Sequence, residues 1–349
     1  MDPSLHEAAT LLSADAQPPF PIDAVFTWVD GSDPVWLESK RALRRKLFGD
    51  RSVTDDADNL ARFHDNDELR YAFRSFARHA PWIRTIYLVT ANQKPSWLNT
   101  DNVKLVGHKD IFPEDVSLPV FSTRPIEFCV HRIPDLAEHF IYANDDFMLG
   151  RDVSWRDFFL PDGRVLLWVL KRGPKYMDKL FSKLGSPSSH TSAVARAHNL
   201  IRSRYGNTYP YVVRHYPKSM TRSSAAALWE AFPEEIRRTL NAPFRSSGDV
   251  SVTMLYPLFL LAEEQGDAKI LNSARQIYEV LHGRGVAHIG ASIGDNNAKM
   301  KMQGIRVFRP RTFCLNDSPS ASAKDRALLK AFLEEMFPTP CRYEMPEGG

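Results

Sequence analysis

The sequence has only three cysteines in 349 residues, Cys129, Cys314 and Cys341, far apart and odd in number. That excludes a disulfide framework, gives no zinc-ligand spacing and fits a reducing compartment. Long hydrophobic runs are missing as well. The longest, Met254 to Ala262, spans about nine residues and is interrupted by Tyr256 and Pro257, whereas a bilayer crossing needs about 20. The first residues, MDPSLHEAATLLSADAQPP, have no basic stretch leading into an apolar one and do not resemble a secretory signal. The expected location is therefore the cytoplasm, with peripheral association at the inner face of the membrane left open. Charge of one sign is scarce too: the net charge of +3 is small for this length, which argues against a nucleic-acid partner. The patterns GxxxxGK[ST], GxGxxG and HExxH are absent, arguing against a mononucleotide kinase, a dinucleotide oxidoreductase and a zincin.

What is present is a globular composition, 43% hydrophobic and 25% charged, on a chain long enough for one large α/β domain or two smaller ones. Residues 1–20 look like a flexible lead-in closed by Pro18, Pro19 and Pro21. Strands are expected at Ile22–Trp28, Thr85–Thr90, Val103–Val106 and Phe140–Tyr142, with helices between them. Asp33 followed by Pro34 is a helix start, and Leu69, Phe73 and Phe76 mark the apolar stripe of a second helix. Alternation of strand and helix predicts an open α/β sheet, Rossmann-like, whose ligand lies beyond the carboxyl ends of the strands. The expected organisation is one unit over 21–349, with 151–215 as a helical insertion or acceptor-facing region. Further helices are expected at Thr191–Arg204, Ser223–Phe232, Val250–Glu264, capped by Asp249, and Ala323–Phe337.

Polar clusters fall at the expected strand ends. Trp28, Asp30, Gly31, Ser32 and Asp33 form a tight turn that would turn carboxylates and a hydroxyl toward a ligand, with Trp28 covering a base or sugar. The plain alternative is a strand-to-helix turn capped by Asp33. Arg62, Asn66 and Asp67, with neighbouring charges, crowd a helix start where phosphate would be favoured, the alternative being a solvated helix end. Asn144-Asp145-Asp146 directly follows an apolar strand, a placement suited to a divalent cation that shares phosphate oxygens, or to a simple turn. Glu127, Arg132, His215, Arg245 and the pair Asn316-Asp317 are scattered and weak singly.

At these positions the sequence resembles the Stealth family, which includes bacterial capsular polysaccharide phosphotransferases and the catalytic part of N-acetylglucosamine-1-phosphotransferase. The resemblance lies in PIDAVFTWVDGSDPVW at 21–36, RFHDNDELRYAFRSFARHAPWIRTIYLVTANQKPSWLN at 62–99, and STRPIEFCVHRIPDLAEHFIYANDDFMLGRDV at 122–153. It continues in RHYPKSMTRSSAAALWEAFPEEIRRTL at 214–240, FRSSGDVSV at 244–252 and TFCLND at 312–317. These blocks follow one another in family order, and the resemblance implies an open sheet of the nucleotide-sugar-transferase type. Two departures stand out: Ser122-Thr123-Arg124-Pro125 precedes Ile126-Glu127, and Pro217-Lys218 stands where the family usually has proline-histidine.

The resemblance implies transfer of a hexose-1-phosphate, such as N-acetylhexosamine-1-phosphate, from a UDP-sugar to a glycan or polysaccharide hydroxyl, with release of UMP. It implies Mg2+ (or Mn2+) at Asp145, Asp146 and Asp317. Catalytic roles fall to Asp33, Asp146, His215 and Arg245, with Arg245 and Arg132 as phosphate contacts and His215 or a carboxylate of Asp23, Asp30 or Asp33 as the base. The substrate-binding set is Asp23, Trp28, Asp30, Gly31, Ser32, Arg62, Asn66, Asp67, Glu127, Arg132, Asn144 and Asn316. The rival readings are a metal-dependent glycosyltransferase that releases UDP and a non-catalytic glycan-binding homologue.

Overall fold

The computed structural model describes residues 17–49, 65–184, 189–213, 216–246, 248–271 and 286–346. In chain order the elements begin β1 (Ile22–Thr27), α1 (Pro34–Phe48), α2 (Glu68–His79), β2 (Ile86–Thr90), β3 (Val103–Gly107), α3 (His108–Ile111), α4 (Thr123–Cys129), β4 (His139–Asn144) and β5 (Phe147–Leu149). They continue with β6 (Val165–Lys171), α5 (Pro174–Phe181), α6 (Ser189–Tyr205), β7 (Tyr211–Val213), β8 (Lys218–Thr221), α7 (Arg222–Ala231), α8 (Pro233–Leu240) and α9 (Val252–Ala262). The last are β9 (Gly266–Ile270), β10 (His288–Ser292), α10 (Ala298–Phe308), β11 (Thr312–Asn316) and α11 (Ala323–Met336).

The main sheet has the order β3-β2-β1-β4-β8. The first four strands are parallel and β8 runs antiparallel against β4. The α/β expectation holds, and the three apolar strands expected side by side are the adjacent trio β2-β1-β4. The chain leaves β1 toward β2 and β3, then returns to place β4 on the other side of β1. That reversal opens a crevice beyond the carboxyl ends of β1 and β4, the usual ligand position in such sheets.

Strand β1 is buried along its whole length, so each of its faces must meet an apolar layer. Phe26 points to α2, with its ring 5.0 Å from Phe73 and 4.9 Å from Phe76 in edge-on contacts. These rings carry the helical stripe read from the sequence. Side chains alternate along a strand, so Asp23, Val25 and Thr27 share the opposite face. Asp33 starts α1 as expected, accepting from the backbone amides of Val35 and Trp36, with Pro34 in the first turn.

Two smaller sheets flank the main one. β10-β11-β5 joins the turn after β4 to residues 312–316, and β7-β6-β9 lies farther along. The region 151–215 is therefore not purely helical: besides α5 and α6 it carries β6 and β7, and β6 pairs with β9 from outside the region. The expected cap of the helix near 250 is corrected as well. Ser251, not Asp249, precedes α9, and it makes no side-chain cap bond. Among the described residues no helix is long and apolar enough to cross a membrane.

Candidate active site

Three strand ends and two helix starts converge at the crevice. Thr27 ends β1 and is the register partner of Asn144, which ends β4. The Tyr142 hydroxyl ties them together, lying 3.0 Å from Thr27 Oγ1 and donating to Asn144 Oδ1 at 2.9 Å. Asp145 and Asp146 form the short turn into β5. Pairing of β5 with β11 sets Cys314 opposite Phe147. The Cys314 thiol therefore donates toward Asp146 Oδ2 (3.2 Å) and Asn316 Oδ1 (3.1 Å). From the third side, Trp28 Nε1 donates to Asp65 Oδ2 at 3.0 Å, which ties the end of β1 to the start of α2.

One half of the cleft is acidic. Glu68 is buried, and burial raises its pKa to about 7 although it accepts from the backbone and side-chain amides of Asn66. Asp65 is raised by burial. Asp145 is pushed well above the usual carboxylate range, first by burial and then by the charges of Asp146, Glu68 and Asp65. Asp146 Oδ1 is buried without a hydrogen-bond partner in the described structure, a costly state for a charged oxygen. A divalent cation supplies what is missing: charge for the cluster and a partner for that oxygen. Among the described residues no three acidic, histidine or cysteine side chains enclose an ion by themselves. The fit is thus to Mg2+ held by one or two carboxylates and completed by ligand phosphates.

The other half is basic. Helix α4 begins at the cleft, where Arg124 bonds Asp249 and the Ser246 carbonyl, each at 3.0 Å, and Arg245 donates to Thr123 Oγ1 at 3.0 Å. The last turn of α4 presents Glu127, which is 8% exposed. Burial raises its pKa to about 7, against the opposing pull of Arg245, Arg124 and Lys218. Tyr142 links the halves, its hydroxyl 3.4 Å from Glu127 Oε1.

The structure brings Trp28, Asn66, Asp67, Glu127, Asn144, Asp145, Asp146, Arg245, Asn316 and Asp317 around this crevice, with Asp30, Gly31 and Ser32 on the loop that follows β1. Asp67 starts α2 in a left-handed conformation, φ 64°, and lies 3.8 Å from Lys330. Asp30 accepts from the Ser32 amide and hydroxyl, and its own amide donates to Gln93.

Other expected members are placed differently. Asp23 lies four residues before Thr27, about 13 Å along the strand, where it bonds Arg84 and the Ala137 amide; the topology puts it at the far end of the sheet. Arg132 donates to the Ile111 carbonyl and stacks on Trp229, away from the groups around Glu127. Asp33 is engaged by its cap bonds and by Gln93. Asp317 is held by Arg326 and the Ser318 amide, which leaves Asp145 and Asp146 as the better-disposed metal candidates. Arg62 and His215 lie outside the described residues.

Sequence reasoning did not select Thr27, Gln93, Tyr142 or Cys314 for the site; Glu68 stood only within the charged cluster at the α2 start, and Arg124 and Lys218 only as departures from the family pattern. Tyr142 had a signal, since strand alternation puts it on the face of Asn144 two residues later. A cavity of about 510 Å³ lined by Arg74, Arg78, Phe337 and Arg342 sits toward the other end of α2 and is not part of this cleft.

Four segments match the conserved regions of Stealth proteins: region 1 at 20–47, region 2 at 62–166, region 3 at 214–262 and region 4 at 303–349. The chain is 39% identical over 341 residues to an exopolysaccharide phosphotransferase of Streptomyces coelicolor, covering 93% of this chain and 52% of that protein. It is 30% identical over 310 residues to the capsular polysaccharide phosphotransferase fcs1 of Haemophilus influenzae, covering 87% and 80%. It spans between about a third and somewhat over half of the first curated relatives it matches. Among solved structures, the glycosyltransferase GlyE of Streptococcus pneumoniae TIGR4 superposes with a TM-score of 0.36 at 12% identity, over 94% of this chain and 66% of that one, too loosely to bear on the site.

Proposed function

The chain belongs to the Stealth family, and we propose that it transfers a hexose-1-phosphate, such as N-acetylhexosamine-1-phosphate, from a UDP-sugar to a glycan hydroxyl in capsule or cell-surface polysaccharide synthesis. The observation that carries this reading is the meeting of an acidic turn with an unpartnered Asp146 oxygen and a cationic loop at Arg245, in one crevice beyond β1 and β4. A diphosphate needs both: a cation site on one side and a guanidinium on the other. The stretch 21–349 acts as one catalytic unit, with 151–215 facing the acceptor. The donor places the reaction on the cytoplasmic side, with peripheral association at the inner membrane face.

In the proposed reaction the acceptor oxygen bonds to the β-phosphorus, the bond from that phosphorus to the bridging oxygen breaks, and UMP leaves. The hydroxyl proton passes to a base. Asp23 is remote and Asp33 caps α1, so His215 and Asp30 remain the candidates. Arg245 holds the phosphoryl oxygens with a planar fork. Trp28, fixed by Asp65, lines the nucleotide side, and Asn144 and Asn316 orient polar groups of the donor. Mg2+, when bound, neutralises charge on the diphosphate, and Asp145 and Asp146 hold it.

The test is incubation with a panel of UDP-sugars, Mg2+ and a capsular oligosaccharide, with the nucleotide products resolved. UMP supports the reading. UDP would make the protein a metal-dependent glycosyltransferase, and tight glycan binding with no nucleotide release would make it a binding homologue.

A further inference from the structure

Lys218 begins β8 directly opposite Tyr142 of β4, so both side chains leave the sheet on one face. Thr27 and Asn144, paired in register, lie on that face too. Helix α4 covers it and sets Glu127 against the Tyr142 hydroxyl. Lys218 and Glu127 are each 8% exposed, an unusual place for an amine and a carboxyl.

Glu127 faces Arg245, Arg124, Lys218 and Tyr142. Lys218 faces Glu127 and Cys314, and its Nζ lies 4.0 Å from the centre of the Tyr216 ring. Arg124 is matched by buried Asp249. Glu127 is thus a carboxyl that both Arg245 and Lys218 face, and its charge depends on protons.

We propose that Lys218 and Glu127 form a buried proton-accepting pair behind the phosphate site, which gains a proton when a diphosphate binds and so holds Lys218 as ammonium and Glu127 as carboxylic acid in the complex. This inference rests on reading the cleft as a nucleotide-sugar site. An anion seated at Arg245 favours the more positive state of everything near it. Burial has already brought both groups close to neutrality, lowering the amine to about 7 and raising the carboxyl to about 7, so the uptake falls in the physiological range. By linkage, affinity then falls as pH rises through neutrality, by up to tenfold per unit for one proton. Lys218 is in this account a positioning residue: it tunes the charge that the phosphates meet.

The experiment is calorimetric titration with UDP-N-acetylglucosamine and UDP-glucose in the presence of Mg2+, in two buffers of different ionisation enthalpy. The diphosphate of a UDP-sugar has no group titrating near neutrality, so any proton change belongs to the protein. At about pH 7.5, between the free and bound states of the pair, the wild type should take up a large fraction of one proton. The double variant Lys218→Arg/Glu127→Gln removes both titrating groups while keeping a cation at 218, and should bind with the uptake lost. Lys218→Met removes the ammonium and should weaken binding. Binding by the wild type with no proton uptake, or uptake unchanged in the double variant, overturns the inference and leaves the donor reading intact. Failure of both UDP-sugars to bind overturns the donor reading, and the inference with it.

Discussion

Asp146→Asn should destroy activity while making the metal-free protein more stable. Asp146 Oδ1 has no hydrogen-bond partner in the described structure, and Oδ2 receives only a weak thiol donor, Cys314, at 3.2 Å, so the amide forfeits little. It also removes one negative charge from beside Asp145, whose carboxyl is already raised by Asp146, Glu68 and Asp65. Two like charges about 6 Å apart at an effective dielectric of 20 repel by about 3 kcal/mol. Partial exposure and the partly protonated state of Asp145 reduce the relief to about 1 kcal/mol, a rise in melting temperature of about 2 °C. Loss of one electrostatic contact to the transition state costs about 10²–10³ in rate. The assays are turnover with Mg2+ and thermal unfolding in EDTA and in Mg2+. Added Mg2+ should raise the wild-type melting temperature and leave the variant unmoved. A fall in stability like that of a core mutation, or full activity, would refute the reasoning.

Arg245→Lys should fold normally and lose most of the rate, because an ammonium cannot reproduce a bidentate guanidinium contact; a fully active variant removes this residue from the phosphate site. Asp249→Ala should cost about 3–5 kcal/mol by removing the carboxylate that buried Arg124 bonds, read by urea unfolding, and a loss below about 1 kcal/mol would show the pair to be dispensable. Glu68 has its pKa raised to about 7 from 4.5, so the unfolded state releases its proton more readily and the charged form penalises folding as pH rises from about 4.5 toward 7. Glu68→Gln should therefore match the wild type near pH 4 and exceed its stability by up to about 3 kcal/mol above pH 7 without divalent cation; equal stabilities at both pH values would contradict it.

Local chemistry carried far into this fold. The apolar run Ile22–Trp28, the Asp33-Pro34 cap and the Leu69, Phe73, Phe76 stripe each announce themselves within a few residues, and all are found, the strand ending one residue early at Thr27. The polar strand ends were legible for the same reason, since Asn144-Asp145-Asp146 follows an apolar strand immediately. What stayed hidden depends on pairing across long separations. Asp23 shares a face with Thr27 but lies at the wrong end of β1, a matter of register with β4 and of where Arg84 reaches. Asp249 sits just before a helix and would pass for its cap; only the fold shows Arg124, 125 residues earlier, taking the carboxylate. The pair of Lys218 and Glu127 exists because β8 docks on β4 beneath α4, and no periodicity in either segment reports it. Residues 312–316 read as a polar motif rather than a strand because their partners, β10 and β5, lie elsewhere in the chain.

The central claim is that the β-phosphorus of the donor travels with the sugar. It is tested most directly by supplying a UDP-sugar radiolabelled at the β-phosphorus, with Mg2+ and a capsular oligosaccharide acceptor, and separating polymer from nucleotide after turnover. The account predicts label in the glycan, resistant to phosphomonoesterase, and an unlabelled nucleotide that comigrates with UMP. Label retained in UDP, with an unlabelled sugar on the acceptor, would contradict it.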